Sequence, residues 1–392
     1  MAPSFEPFAR SQVRDLSLSK IREVANAGFG RQDILRFWFG ESDQATPDYI
    51  RRAAIEAIEA GRTFYTHNNG SQALREGLGA YLGRLHGRSF GPERISVTSS
   101  GVSALMLAMQ AVLDPGDRVV AVTPVWPNLT EIPRILGASV TRSPVFATRD
   151  GWRWDLQRFL ETVTPDTRLV LLNSPANPTG WTIPAEDRRI VLDHCRKLGV
   201  WLLCDDVYER LSFDAGLASA PSFLAIADPD DRIIGVNSFS KAWLMTGWRL
   251  GWMVAPKALE TDLGKLIEYN TSCAPDFVQA GGLAAIEGGE PHIANLRAQL
   301  LARRNRLLDA LGALARVEAA PPEGGMYVFF RIKGQGASVD LCKQLIAEAG
   351  LGLAPGAAFG PEGEGWIRWC FAVKPELLDA GIERLAGWLA RR

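Results

Sequence analysis

Between Ser238 and Gly251 the chain reads Ser-Phe-Ser-Lys-Ala-Trp-Leu-Met-Thr-Gly-Trp-Arg-Leu-Gly. Lys241 sits among small and apolar neighbours. Desolvation lowers an amine's pKa and leaves a nucleophile suited to imine chemistry. Further along, Arg249 offers a planar fork that matches a phosphate. A lysine is ordinarily a solvated surface group, but two cations in one apolar, glycine-bearing stretch are harder to read that way.

Four other segments carry groups that could act with it. Ser99-Ser100-Gly101-Val102 follows a short apolar run and opens a helical pattern. Backbone N–H groups at such a start suit a phosphate, and Gly101 permits close approach; an ordinary capped turn is the alternative. Asn173-Ser174-Pro175-Ala176-Asn177-Pro178-Thr179-Gly180 is a constrained turn that can hold the Asn177 amide towards a ligand, or a plain loop. In Cys204-Asp205-Asp206-Val207-Tyr208, strand alternation sends the two carboxylates to opposite sides. A carboxylate at a buried strand's end needs a positive partner, and a protonated pyridine nitrogen would serve; a solvated loop position is the alternative. Finally, Arg368 interrupts the apolar Trp366-Ile367-Arg368-Trp369-Cys370-Phe371. A buried cation implies a carboxylate partner, either a ligand or a structural ion pair, unless the position faces solvent.

These segments need a scaffold that brings them together. The chain has 392 residues, too many for one ordinary core. From about residue 46 to 289, apolar strands alternate with helices, which predicts a mostly parallel sheet covered on both faces. Ligands bind beyond the carboxyl ends of strands in such sheets, where the segments above fall. Residues 290–392 read as a smaller α+β unit, and residues 1–45 have weak periodicity and could pack beside it. The expected class is therefore α/β with a smaller companion.

A net charge of −1 gives no reason to expect a nucleic-acid or anionic-membrane partner. The five cysteines form no Cys-x-x-Cys pair, so reduced core thiols in a cytoplasmic protein are expected rather than a disulfide or metal framework. Residues 1–12 lack the apolar core of a signal peptide, and no apolar run approaches the roughly 18 residues of a membrane span.

In this order, the Ser-x-Ser-Lys…Gly-Trp-Arg-x-Gly segment, Asn-Pro-Thr-Gly and Asp-x-x-Tyr resemble the class I/II aminotransferases of pyridoxal-5′-phosphate (PLP) fold type I, from about Gly40 to the C-terminus. The resemblance implies PLP carried on Lys241 as a Schiff base. It implies Asp205 as partner of the ring nitrogen, Tyr208 and Asn177 as donors to the ring oxygen, and Trp126 stacked on the ring. Ser100, Gly101, Val102, Ser238 and Arg249 would cup the phosphate, and Arg368, with Asn177 and the Gly40 backbone, would hold the substrate carboxylate. Tyr65 matches a tyrosine that reaches the neighbouring subunit's cofactor, which implies a homodimer. The implied reaction moves an amino group between an L-amino acid and a 2-oxo acid by a ping-pong cycle. A lyase or synthase on the same scaffold is the alternative, and a non-catalytic regulator would need a DNA-binding segment fused on. The chain departs from some aspartate-using relatives, which carry a lysine where Val102 stands, and Leu129 replaces a frequent tyrosine. Uncharged or aromatic donors are therefore expected to outperform aspartate.

Overall fold

A computed structural model describes residues 8–392. The opening of the segment expected over 1–45, residues 1–7, lies outside the described residues. Seven strands form the main sheet: β1 (Ile95–Thr98), β2 (Arg118–Thr123), β3 (Ser139–Pro144), β4 (Thr167–Asn173), β5 (Trp201–Asp205), β6 (Ile233–Ser238) and β7 (Gly251–Val254). Their spatial order is β1-β7-β6-β5-β4-β2-β3. β7 runs antiparallel to both neighbours, and the other pairings are parallel.

Strand alternation divides the core. Val119, Ala121, Leu169, Leu171 and Leu203 pack with the helix Gly101–Val112, whereas Val120, Val170, Leu172 and Leu202 join the larger cluster on the opposite face. The same period continues past the last apolar residues. It carries Asn173 on from Leu171 and Asp205 on from Leu203 to the carboxyl edge.

A second, four-stranded sheet comprises β8 (Val317–Ala320), β9 (Tyr327–Ile332), β10 (Ala354–Pro355) and β11 (Trp366–Cys370), in the order β8-β9-β11-β10. The short strand Leu35–Arg36 pairs with Leu351–Gly352, which ties the N-terminal region to this part of the chain.

Some elements differ from expectation. Lys20–Ala27 is a helix that buries Ile21, Val24 and Ala25, with Ser19 Oγ accepting from the Arg22 N–H. Two turns offer too few repeats for periodicity to reveal it. Gln72–His86 and Asp276–Gly288 are helices that pack on each other, and Asp276–Gly288 also packs on Asp48–Glu59. No helix among the described residues is long and apolar enough to cross a membrane.

Candidate active site

At the carboxyl edge of the main sheet a cavity of about 240 Å³ opens towards the second sheet. Its lining includes Gly40, Gly101, Val102, Trp126, Asn177, Asp205, Tyr208, Ser238, Lys241, Arg249 and Arg368, gathered from across the chain. Two expected residues are not in this wall. Ser100 lies just behind it, where its Oγ accepts from the Ser103 N–H and caps the helix. Tyr65 is 89% exposed and lies away from the cavity.

The main-sheet side begins at the helix start. Gly101 and Val102 occupy the first turn, where N–H groups lack intrahelical partners. A side chain at Gly101 would press on Ser238, and one at Gly251 on the backbone of Ser100 and Gly101. These glycines let β6, β7 and the helix start converge. Ser238 Oγ and Ser240 Oγ are 3.0 Å apart beside this start. Arg249 Nη1 lies 3.5 Å from Ser240 Oγ and donates to the Thr246 carbonyl. Its backbone takes the left-handed conformation, φ 54°, uncommon for a non-glycine residue.

Asp205 is buried, and the Val207 N–H donates to its Oδ1 at 3.3 Å. It makes no ion pair among the described residues. Burial pushes its carboxyl up to about 7, against the opposing Val207 bond. Asn173, to which the sequence alone assigns no role, links two parts of this wall. Its Nδ2 donates to the Asp205 carbonyl at 2.9 Å, and its Oδ1 accepts from the Asn177 N–H at 2.8 Å.

Lys241 Nζ donates to the Gly40 carbonyl at 2.5 Å. Burial lowers its pKa to about 8, with the cationic Arg368 acting in the same direction and the Cys370 thiol opposing it. Gly40 can approach because it lacks a side chain; a Cβ there would collide with the Tyr327 hydroxyl. Tyr327, another residue the sequence did not single out, pairs its hydroxyl with that of Tyr208 at 2.7 Å. Both rings are buried.

Arg368 is only 2% exposed. Its Nη1 donates to Asn177 Oδ1 at 2.9 Å and its Nη2 to the Trp38 carbonyl at 2.5 Å, while Nε has no partner. The guanidinium lies 4.4 Å from the Tyr327 ring centre and 4.9 Å from that of Phe359. It forms no ion pair among the described residues, so the structural-ion-pair and solvent-facing alternatives both fail.

The family model for aminotransferases of class I and II matches residues 32–385. The chain belongs to the class I and II aminotransferase family. It is an aminotransferase with the PLP fold type I architecture. An aspartate aminotransferase of Rhizobium meliloti is 32% identical, across 96% of this chain and 95% of that protein. An arginine–pyruvate transaminase of Pseudomonas aeruginosa is also 32% identical, across 91% and 90%. The aspartate aminotransferase structure from Thermotoga maritima superposes with a TM-score of 0.90 at 28% identity, covering 97% of this chain and 100% of that one. An aromatic aminotransferase from Pyrococcus horikoshii gives 0.86 at 29%, covering 94% and 99%. The relatives differ in named substrate, so similarity to them leaves this aminotransferase's side-chain preference open.

Proposed function

We propose that this aminotransferase binds PLP in the cavity and transfers amino groups from an uncharged or aromatic L-amino acid to a 2-oxo acid. The observation that carries the reading is Arg368, a buried cation with a free Nε and no acid partner among the described residues, in the same cavity as Lys241. A buried cation without a counter-charge is unfavourable, and a substrate carboxylate supplies one.

The residues present fit the cofactor group by group. Asp205 is a buried carboxylate without a paired cation among the described residues, and a pyridinium nitrogen would supply one. The helix start at Gly101–Val102, Ser238 and Arg249 form a donor set for a phosphate, completed at the back by the Ser100 cap. Lys241 offers the amine for the aldehyde, Trp126 a flat face for the ring, and Tyr208 and Asn177 polar groups for its hydroxyl. When bound, PLP supplies the electron sink for charge developing at the substrate's α-carbon.

The chain's own groups divide the remaining work. Arg368 holds the carboxylate and so fixes the orientation of the α-carbon. Lys241, with its pKa lowered to about 8, has a substantial neutral fraction near pH 7–8, so Nζ can accept and return a proton. The Gly40 carbonyl directs Nζ, and Asn173 keeps Asn177 and Asp205 in register. We read 46–289 as the unit holding the cofactor, with 290–392 as a smaller unit and the N-terminal residues packed on it; the Leu35–Leu351 pairing supports this. The five free thiols support a cytoplasmic setting.

For the substrate side chain, Ile21, Phe39 and Trp126 contribute apolar surface to the cavity. Its cationic lining residues are Lys241, Arg249 and Arg368. Of the N-terminal arginines that could have added another, Arg10 donates to the Ile135 carbonyl, Arg14 lies over the Phe8 ring, Arg31 pairs with Asp33 and Arg36 donates to the Arg31 carbonyl, while Arg22 lies over the Phe39 ring beside the cavity without lining it. A distal carboxylate would therefore be desolvated without compensation. With one common 2-oxo acid acceptor, leucine, phenylalanine or tyrosine should exceed aspartate and glutamate in kcat/KM. A lead of about tenfold for aspartate, equivalent to about 1.4 kcal/mol, overturns the side-chain reading. No amino transfer to any acceptor overturns the whole.

We also infer a homodimer with shared sites. Phe64, Tyr65 and Tyr269 are almost fully exposed aromatics, and Tyr65 matches the cross-subunit position. Sedimentation at micromolar concentration should give about twice the 42.8 kDa chain mass. A fully active monomer refutes the inference.

A further inference from the structure

Behind the cavity wall, polar side chains meet on the face of the sheet covered by the helix Gln72–His86. Glu209 Oε1 accepts from Asn237 Nδ2 at 2.6 Å. Its Oε2 faces His86 Nε2 at 3.5 Å, and the two side chains are 3% and 2% exposed. Neither of these two atoms has any other partner. Asn237 Oδ1 in turn accepts from the Ser238 N–H at 2.8 Å, and both Asn237 and Ser238 line the cavity. A continuous polar path thus runs from His86 to the end of β6.

The surrounding charges decide what this path holds. Arg210 is adjacent to Glu209 in sequence, but its guanidinium is engaged by Glu290, at 2.6 Å, and by the Tyr81 hydroxyl. Asp206, on the same turn, bonds to Ser222 Oγ and adds a further acid facing Glu209. Arg188, whose field reaches His86, donates to the Ser222 carbonyl. An ionised Glu209 would be a buried anion beside another acid, with its nearest arginine already paired.

We propose that His86 and Glu209 retain one proton between them at neutral pH, and that the resulting neutral pair positions the Asn237–Ser238 end of β6 at the cofactor cavity. Burial favours the neutral form of each group: it pushes the Glu209 carboxyl well above its usual range and brings the His86 imidazole down to about 4. Both shifts favour the neutral forms. Glu209 is a positioning residue here, because it reaches the cavity only through Asn237. The proposal rests on the reading of that cavity as the PLP site.

Glu209→Gln keeps an acceptor for Asn237 and gives His86 a permanent N–H, so it imitates the protonated acid. Glu209→Ala leaves Asn237 Nδ2 buried without a partner. Dialysis of the holoenzymes, followed by visible absorbance, should show the alanine variant losing cofactor about tenfold faster and the glutamine variant staying within about threefold of wild type. A second measurement counts the proton. Above the unfolded histidine pKa of about 6.5, the folded pair holds one proton more than the unfolded chain, so wild-type stability falls as pH rises. The glutamine variant has no such linkage. Its melting temperature relative to wild type should therefore climb between pH 7 and 9, by about 2 °C per unit.

A flat difference overturns the retained proton. Glutamine as damaging as alanine, or normal cofactor retention in Glu209→Ala, overturns the positioning role. If the alanine variant does not fold, the glutamine comparison and the pH series still decide. Failure of the cofactor reading would appear separately, as wild-type protein that keeps no visible absorbance once excess PLP has been removed by gel filtration.

Discussion

Lys241→Ala should remove the borohydride-fixable imine from the PLP-loaded protein and lower transamination by at least about 10²–10⁴-fold, the range for losing a positioned proton-transfer group alone. The loss extends beyond that range to the extent that covalent capture of the cofactor also contributes. Lys241 Nζ is held by the Gly40 carbonyl, and burial brings its pKa down to about 8. An amine so placed is both a nucleophile and a proton carrier near neutral pH. Lys241→Arg is the informative companion: it keeps a cation at the position but cannot be deprotonated usefully, and it should be nearly as impaired as alanine. Borohydride reduction of the wild-type holoenzyme, followed by peptide mapping, should place the label on Lys241. A label on another lysine, or normal turnover by the alanine variant, overturns the assignment.

The cavity's main-sheet wall was readable because strand period and chemistry coincide there. Asp205 ends a run whose alternating member, Leu203, is apolar and faces the same way. A polar residue where an apolar one is due, at a carboxyl edge, is a legible signal. Arg368 was legible for the same reason in β11. The second sheet's other contribution was not. Tyr327 lies in Tyr-Val-Phe-Phe-Arg-Ile, where a tyrosine reads as core, and nothing local says that its hydroxyl meets Tyr208. The two glycines before it in Gly324-Gly325-Met326-Tyr327 are the one available hint of close backbone approach.

Ile21 and Phe39 were hidden differently. They reach the cavity through a short helix and an irregular segment, which carry little periodicity. The edge strand Ser139–Pro144 also escaped, since Ser-Val-Thr-Arg-Ser-Pro carries one large apolar side chain and pairs on one side only. His86 and Glu209 escaped because each looks like a surface residue by type, and only the packing of the Gln72–His86 helix on the sheet buries both.

Arg368→Ala should lower kcat/KM for α-amino acids by about 30- to 4,000-fold, the equivalent of losing roughly 2–5 kcal/mol from a buried charge pair. The substrate carboxylate would be left desolvated in a cavity whose other cations, Lys241 and Arg249, are set towards different groups. The fork is prepared for it: Asn177 and the Trp38 carbonyl fix two nitrogens, the Tyr327 and Phe359 rings lie against the guanidinium, and Nε remains free. Arg368→Lys should recover only part of the loss, because an ammonium keeps the charge but not the planar, two-point geometry. A structural role alone could also depress activity, so the decisive comparison is between substrates. A primary amine that lacks the α-carboxylate should react poorly with wild type and no worse with Arg368→Ala. Its kcat/KM ratio between the two proteins should sit near one while the amino-acid ratio falls steeply. Equal losses on both substrates would make Arg368 a scaffold residue, and near-normal kinetics with amino acids would remove it from carboxylate binding altogether.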